Sequence, residues 1–116
     1  EVDHWEDFYQ PLLHELGFHC SYYQRPGRKD GLVIAAKTSK RLSLMEVEYV
    51  SFDDLIERYD DVLFSKQNVG LICRYKHTDD AGEELGRFVI ATTHLHWNPA
   101  RREVKLAQVQ VCIYVM

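Results

Sequence analysis

The stretch RFVIATTHLHWNPARREVKLAQVQVCIYVM, residues 87–116, decides the fold class because it passes from a strand pattern to a helix pattern. Its apolar opening predicts a strand over residues 87–97. Pro99 has no backbone N–H and is expected to end that strand. After it, apolar residues recur at helical spacing, which predicts a helix over residues 100–116. A strand that leads directly into a helix indicates a domain with both kinds of element.

The chain before this stretch adds further strands and another helix. We predict a helix over 4–16, strands over 18–24, 32–36, 42–50 and 68–76, a short helix or ordered loop over 51–64, and a polar hairpin turn over 77–86. Pro11 predicts a kinked or two-part first helix, and the alternation of 42–50 slips phase near Met45. Regular helices do not separate the strands, and no GxGxxG or GxxxxGK[ST] loop is present. An α+β fold with a mixed sheet and outer helices is therefore favoured over a doubly wound one.

Composition and charge limit the classes of function. The chain has 116 residues, 46% of them hydrophobic and 28% charged, which suits one ordinary globular domain. The formal net charge of −4 argues against a protein held to nucleic acid by a general basic surface. This net charge is compatible with an enzyme that binds phosphate through a metal ion and a few local cations. No transmembrane run or signal peptide is visible, so no membrane partner is expected.

The cysteines and the chain ends complete this picture. Cys20, Cys73 and Cys112 lie far apart in apolar surroundings, which is typical of reduced thiols in an intracellular protein. The chain begins at Glu1 without a methionine and stops at Met116 within the predicted last helix. We therefore expect residues 1–116 to be the central portion of a single, longer domain that is truncated at both ends.

Taken one at a time, the polar residues have ordinary structural explanations. His94 and His96 share one face of the predicted strand, where a hydrogen-bonded histidine is common. The pair alone supplies only two metal ligands, which disfavours a zinc site. Other candidates are equally typical of turns and solvated surfaces: Lys29-Asp30-Gly31, Asp53-Asp54, Asp60-Asp61 and Arg101-Arg102.

Four segments together resemble one known family. The opening EVDHWEDFYQPLLHELGF, the segment KDGLVIAAKT, the segment NVGLICRY and the segment TTHLHWNPARREVKLAQ follow the chain in this order. They resemble the endonuclease/exonuclease/phosphatase superfamily, in its deadenylase branch of Ccr4-type, angel, nocturnin and fungal Ngl-type RNA exonucleases. The resemblance covers essentially the whole chain. It implies part of a DNase I-like four-layer α/β sandwich with mixed sheets and outer helices.

The resemblance also implies roles for particular residues. Glu1 occupies the position of the family glutamate that ligates a catalytic Mg²⁺, or Mn²⁺ in its place. His94 occupies the position of the histidine that contacts the scissile phosphate. Arg25 matches a basic residue that binds substrate phosphate, and Pro99 matches a proline that lines the base pocket. The other substrate-binding positions are His96, which would shape the pocket, and Asn98, which stands where nocturnin has a basic residue.

The function implied is Mg²⁺-dependent 3′→5′ exoribonuclease or poly(A) nuclease activity on single-stranded RNA, in the cytoplasm or alternatively in the nucleus or mitochondrion. The departure at Asn98 disfavours a nocturnin-like dinucleotide phosphatase. Alternatives are a 2′,5′-oligoadenylate phosphodiesterase, a small-nucleotide phosphatase, and a non-catalytic family member that binds RNA or protein. The family's early catalytic Asn and its G-D-x-N and D-H segments have no counterpart within residues 1–116. We therefore predict that this chain alone is inactive.

Overall fold

The computed structural model describes residues 1–56 and 66–116, except for the side chains of residues 55 and 56. Within these segments the strands are β1 (His19–Gln24), β2 (Gly31–Ala36), β3 (Leu42–Ser51), β4 (Val69–Thr78) and β5 (Glu84–His94). The helices are α1 (Gln10–Glu15), α2 (Phe52–Ile56) and α3 (Arg102–Val115), with a π-helical turn (Trp5–Tyr9) before α1 and a 3₁₀ turn (Pro99–Arg101) before α3. The predicted Asp60-Asp61 pair lies outside the described residues.

Two irregularities that the sequence predicts are confirmed. The first helix has two parts, and Pro11 lies in the first turn of α1. A backbone N–H at this position would have no partner within the helix, so proline is tolerated there. The register of β3 against β4 shifts between Leu44 and Glu46, so that Met45 is an extra residue in the ladder. The bulge explains the change of phase in the alternation of this strand.

Two predicted boundaries are wrong. The hairpin turn is shorter than residues 77–86, because the Asp79 carboxylate accepts the N–H groups of Ala81 and Glu83 and closes a turn between Thr78 and Glu84. β5 ends at His94 instead of continuing to residue 97. The reason lies beyond the strand, where the His96 N–H donates to a side chain of α3 instead of to a neighbouring strand.

The elements form four layers in the order helix, sheet, sheet, helix. β1 and β2 pair antiparallel, and β3, β4 and β5 form an antiparallel sheet with β4 in the middle. The helical segment before β1 covers the first sheet, where the Trp5 ring stacks on Tyr22 with centroids 4.6 Å apart. α3 covers the second sheet from the other side. This confirms the predicted α+β sandwich with outer helices. The predicted mixed sheets are not found among the described strands, because every ladder between them is antiparallel.

Alternate faces of β4 supply the two cores. Leu71 and Tyr75 pack with Leu32 and Ile34 between the sheets, whereas Ile72 packs with Cys112 between the second sheet and α3. The period-two alternation of a strand places these residues on opposite faces. Cys73 and Cys112 are buried, Cys20 is half-buried, and all three thiols are free, which agrees with the prediction of unpaired thiols in apolar surroundings. None of the described helices is long and apolar enough to cross a membrane.

Candidate functional site

Glu1 is held beside Asp30 by a short backbone pairing. The N–H and carbonyl groups of Val2 and Gly31 exchange two hydrogen bonds of 2.8 Å, which form an isolated antiparallel bridge at the start of β2. Gly31 is required here, because a Cβ at this position would lie 2.5 Å from the Tyr23 carbonyl oxygen. The Asp-Gly pair therefore allows a close backbone approach and also provides a carboxylate next to Glu1.

The end of β5 brings His94 to the same place. His94 lies opposite Val69 in the ladder, and its Nδ1 lies 3.2 Å from Glu1 Oε2. Ligand atoms of Glu1, Asp30 and His94 all lie within 4.8 Å of one another. No other group of three or more potential metal ligands lies this close within residues 1–56 and 66–116. The sequence pair His94 and His96 is thus not the cluster, since His94 faces Glu1 instead.

Arg25 is the cation of this cluster. Its guanidinium donates from Nη1 to Asp30 Oδ2 at 3.0 Å and from Nε to the Gln67 carbonyl oxygen at 3.0 Å. Nη1 also lies 3.9 Å from Glu1 Oε1. The Arg25 side chain is only 10% exposed. We call Glu1, Arg25, Asp30 and His94 the sheet-end site.

Asp30 remains charged despite its surroundings. Burial on its own would raise the pKa of the Asp30 carboxyl. The hydrogen bond from Arg25 and its positive charge outweigh burial and hold the pKa of Asp30 below its ordinary value. At neutral pH the sheet-end site therefore contains an ionised Asp30 that is already neutralised by Arg25.

A cleft of about 340 Å³ opens from the sheet-end site. We call it the basic cleft, and its lining residues are Arg25, Arg28, Lys66, Gln67, Asn68, His94, His96 and Trp97. Three residues that the sequence singles out, Arg25, His94 and His96, therefore share one concave surface. Trp97 also lines this cleft, and its side chain is 76% exposed there.

Asn98 and Pro99 are not among the residues that line the basic cleft. The Asn98 Oδ1 accepts the N–H of Ala100 at 2.9 Å and caps the 3₁₀ turn that Pro99 begins. Both residues have the structural role that their types predict at a helical N-terminus. Their predicted contacts with substrate remain predictions.

His96 lies in a positively charged environment. Partial burial lowers the pKa of its imidazole, and the charges of Lys66, Lys105 and Arg101 lower it further. The His96 backbone N–H donates to Gln108 Oε1 at 2.9 Å. At neutral pH a neutral His96 ring thus lies among cations, which agrees with a role in shaping the cleft.

A buried amide bridge fixes the floor of the cleft. Gln108 of α3 donates from Nε2 to Asn68 Oδ1 at 3.0 Å while its Oε1 accepts from His96. Gln108 and Asn68 are 4% and 2% exposed. One glutamine thereby links the start of β4 to the segment after β5, and both of these segments line the cleft.

Single-residue reasoning missed Asp30, Asn68, Gln67 and Gln108. The signals were present, because Asp30 and Asn68 lie in the Lys-Asp-Gly and Asn-Val-Gly patterns, and Gln108 closes the Lys-Leu-Ala-Gln pattern. Gln67 carries no such signal. Its importance comes from partners that are 14 to 42 positions away in the sequence.

The chain is similar to proteins of one kind. It is 37% identical over 114 residues to angel homolog 2 of Bos taurus, covering 97% of this chain and 20% of that protein. It is 31% identical over 135 residues to the CCR4-Not complex 3′-5′-exoribonuclease subunit Ccr4 of Yarrowia lipolytica, covering 97% and 18%. The chain thus spans about a fifth of the length of the curated relatives it matches. No family model matches it.

A solved structure shares the fold. The crystal structure of ANGEL2, described as a 2′,3′-cyclic phosphatase in complex with adenosine-2′,3′-vanadate, superposes with a TM-score of 0.75 at 32% identity. The match covers 94% of this chain and 30% of the ANGEL2 chain. The four layers described above therefore match part of the ANGEL2 fold.

Proposed function

Because the chain belongs to the deadenylase branch of the endonuclease/exonuclease/phosphatase superfamily, with the angel and Ccr4-type proteins, we propose that the whole protein hydrolyses phosphoesters at the 3′ end of RNA. One observation carries the proposal. Glu1, Arg25 and His94 come from three distant parts of the chain, yet they meet at one end of the sheets beside a basic cleft. A carboxylate for a metal ion and two cationic or donor groups for phosphate are among the groups that such a reaction needs.

The residues fit a hard divalent cation at Glu1. Carboxylate oxygen is the protein ligand that Mg²⁺ prefers, and Mg²⁺ retains waters and takes substrate phosphate as further ligands. The Glu1 side chain is 55% exposed, which leaves room for those ligands, whereas Asp30 Oδ2 is engaged by Arg25. In this proposal Glu1 holds Mg²⁺, or Mn²⁺ in its place. The ion, when bound, neutralises charge on the scissile phosphate.

His94 and Arg25 bind and orient the phosphate. When His94 Nδ1–H donates to Glu1, its Nε2 can donate to a phosphoryl oxygen only if the ring is protonated. Glu1 therefore orients the imidazole. Arg25 has two of its nitrogens fixed by Asp30 and Gln67, which leaves Nη2 to donate to substrate from a rigid position.

The first candidate bond is the last phosphodiester of single-stranded RNA, as in a 3′→5′ exoribonuclease or deadenylase. Similarity to a protein named a 3′-5′ exoribonuclease supports it. The second candidate is a terminal 2′,3′-cyclic phosphate. The ANGEL2 structure with adenosine-2′,3′-vanadate specifically favours this second bond. Both reactions place a 3′-terminal phosphorus between Glu1 and His94, so the same residues serve either.

The experiment uses the full-length protein and two 5′-labelled RNAs of one sequence, the first ending in a 3′ hydroxyl and the second in a 2′,3′-cyclic phosphate. Each is incubated with Mg²⁺ or with EDTA. Mg²⁺-dependent stepwise shortening identifies the exonuclease, and oligoadenylate against a mixed sequence then tests for deadenylation. Opening of the cyclic end without shortening identifies the second candidate.

Matched variants test the assignment of residues. Glu1→Gln and His94→Ala are expected to reduce the rate at least about a hundredfold, since each removes charge stabilisation of the transition state. Glu15→Gln and His14→Ala, exposed on α1, are controls that should retain the rate. Hydrolysis that survives loss of both Glu1 and His94 would refute this site. Absence of hydrolysis in the wild-type protein would favour a binding-only family member.

A further inference from the structure

One residue, Gln67, connects two arginines of the basic cleft. Gln67 accepts Arg25 Nε–H with its backbone carbonyl at 3.0 Å and Arg28 Nε–H with its side-chain Oε1 at 2.9 Å. Arg25 belongs to the sheet-end site, whereas Arg28 lies further along the cleft lining and is exposed. The two guanidinium groups are therefore held next to each other by opposite ends of a single residue.

Gln67 itself is held in an unusual conformation. Its φ is 55°, in the left-handed region that residues other than glycine, asparagine and aspartate rarely adopt. The Asp53 carboxylate accepts the N–H groups of Gln67 and Lys66, with distances of 2.9 Å to 3.2 Å, and fixes this conformation. A glycine would adopt this φ without strain. What glycine lacks is the amide oxygen that holds Arg28.

The charge of the cleft differs from that of the chain. The whole chain carries a formal net charge of −4, yet among the residues that the structure describes the cleft lining contains Arg25, Arg28 and Lys66 and no acidic residue. In the part of the chain that the structure describes, no partner contacts the terminal nitrogens of Arg28. Its Nε–H is used to fix the group, and the outer N–H groups remain available for an anion.

We propose that Arg28, oriented by Gln67, binds the phosphate that neighbours the reacting one, so that the basic cleft takes an extended nucleic acid strand instead of a single nucleotide. The inference rests on the proposed function for the position of the reacting phosphate. Arg25 contacts that phosphate in the sheet-end site, and Arg28, held by the side chain of Gln67, contacts the next. A shared glutamine sets the spacing between the two.

Binding in EDTA tests the subsite without any hydrolysis. The full-length protein is titrated with a fluorescein-labelled oligoadenylate over a range of salt concentrations. Arg28→Gln is expected to weaken binding about tenfold, as loss of a charged hydrogen bond does. It should also reduce the slope of log affinity against log salt by about 0.7, the value for one phosphate of a single strand. Arg41→Gln, an exposed arginine paired at the far hairpin, is the matched control and should leave the slope unchanged.

A neutral linkage locates the contact. A set of oligonucleotides carries one uncharged methylphosphonate each, at successive linkages from the 3′ end. Wild-type affinity should fall about tenfold when the neutral linkage reaches the Arg28 subsite, and Arg28→Gln should lose nothing more at that linkage. Additive losses at every linkage would overturn the proposal.

Gln67→Gly separates binding from folding. The substitution removes the left-handed strain and keeps the backbone carbonyl that Arg25 uses, so stability should be unchanged or higher. Binding should weaken as it does in Arg28→Gln, because Arg28 is no longer oriented. Gln67→Gly with unaltered affinity and salt slope would show that Arg28 only braces its own loop, through the 2.6 Å bond from Gln24 to its carbonyl oxygen.

These outcomes remain distinguishable from those for the proposed function. If Arg28→Gln alters the salt slope but the wild-type protein hydrolyses neither RNA, the strand-binding cleft is supported and the proposed enzymatic activity is refuted. Hydrolysis of RNA with an unaltered slope in Arg28→Gln would retain the enzyme and refute the subsite.

Discussion

Two arginine–aspartate pairs lie at opposite ends of the molecule and differ in everything except their chemistry. Arg25 and Asp30 are 10% and 20% exposed, and a backbone carbonyl also fixes the arginine. Arg41 and Asp80 are 58% and 80% exposed beside the β4–β5 hairpin. The first pair lies next to Glu1 and His94, whereas the second is surrounded by water. The same two residue types form part of a binding site at one end and a solvated contact at the other.

The difference comes from the surroundings of each pair. Water screens the attraction between exposed charges, so a surface pair contributes little to folding. A pair that is mostly removed from water interacts strongly, but each member becomes costly if its partner is lost. Charge complementarity seen in a structure is therefore informative about function only when burial and further partners are considered with it.

The largest effect on stability is expected from Arg25→Gln. The change leaves the half-buried Asp30 carboxylate without its cation and the Gln67 carbonyl without its donor. We expect the free energy of unfolding to fall by about 2–4 kcal/mol, and RNA binding to weaken as well. Urea denaturation of the full-length protein measures the first effect. A loss of stability as small as that in Arg41→Gln would contradict the view that burial makes the Arg25–Asp30 pair more important than the Arg41–Asp80 pair.

The next effect concerns pH. The pKa of Asp30 is lowered in the folded protein by Arg25, so its charged form stabilises the fold above its ordinary value of 3.8, and this contribution is lost as the pH falls below 3.8. Asp30→Asn should therefore flatten the acid limb of stability against pH. Asp80→Asn should leave that limb unchanged. Equal acid limbs in wild type and Asp30→Asn would contradict the assignment.

A smaller effect on the free energy of unfolding is expected at the buried, uncharged bridge that Gln108 forms with Asn68 and His96. Gln108→Leu leaves Asn68 Oδ1 and the His96 N–H without their partner inside the protein. We expect a loss of about 1–2 kcal/mol in the free energy of unfolding. Gln110→Leu, on the exposed side of α3, is the control. Gln108→Glu keeps an acceptor for the His96 N–H but loses the donor to Asn68, so it should also lower the free energy of unfolding.

The smallest effect is expected at the exposed pair. Arg41→Gln and Asp80→Asn should each change the free energy of unfolding by less than about 0.5 kcal/mol. Raising the salt concentration should reduce even this difference. A loss above 1 kcal/mol would mean that exposure is not what separates the two pairs.

The sequence predicts the layers of this fold better than it predicts the site. Periodicity locates all five of the strands that the structure describes, and it also reveals the bulge at Met45, because these features are local. The strand exit after His94 was misplaced, since its end depends on Gln108, twelve positions beyond His96. The family resemblance placed Glu1, Arg25 and His94 as candidates. The Lys-Asp-Gly pattern predicts Asp30 only as a turn residue. The same pattern also places its carboxylate beside Glu1, and the residue types alone do not show this second role.

The two-bond bridge between Val2 and Gly31 has a consequence for the order of folding. It joins positions that are 29 residues apart, and the bonds from Gln67 to Arg25 and from Gln108 to Asn68 span 42 and 40 residues. Contacts of such sequence separation form slowly, after local hairpins. The β4–β5 hairpin can therefore form early, while the groups around Glu1 assemble only once both sheets have met. Hydrogen exchange during refolding should protect the amides of β4 before those of Val2 and Gly31.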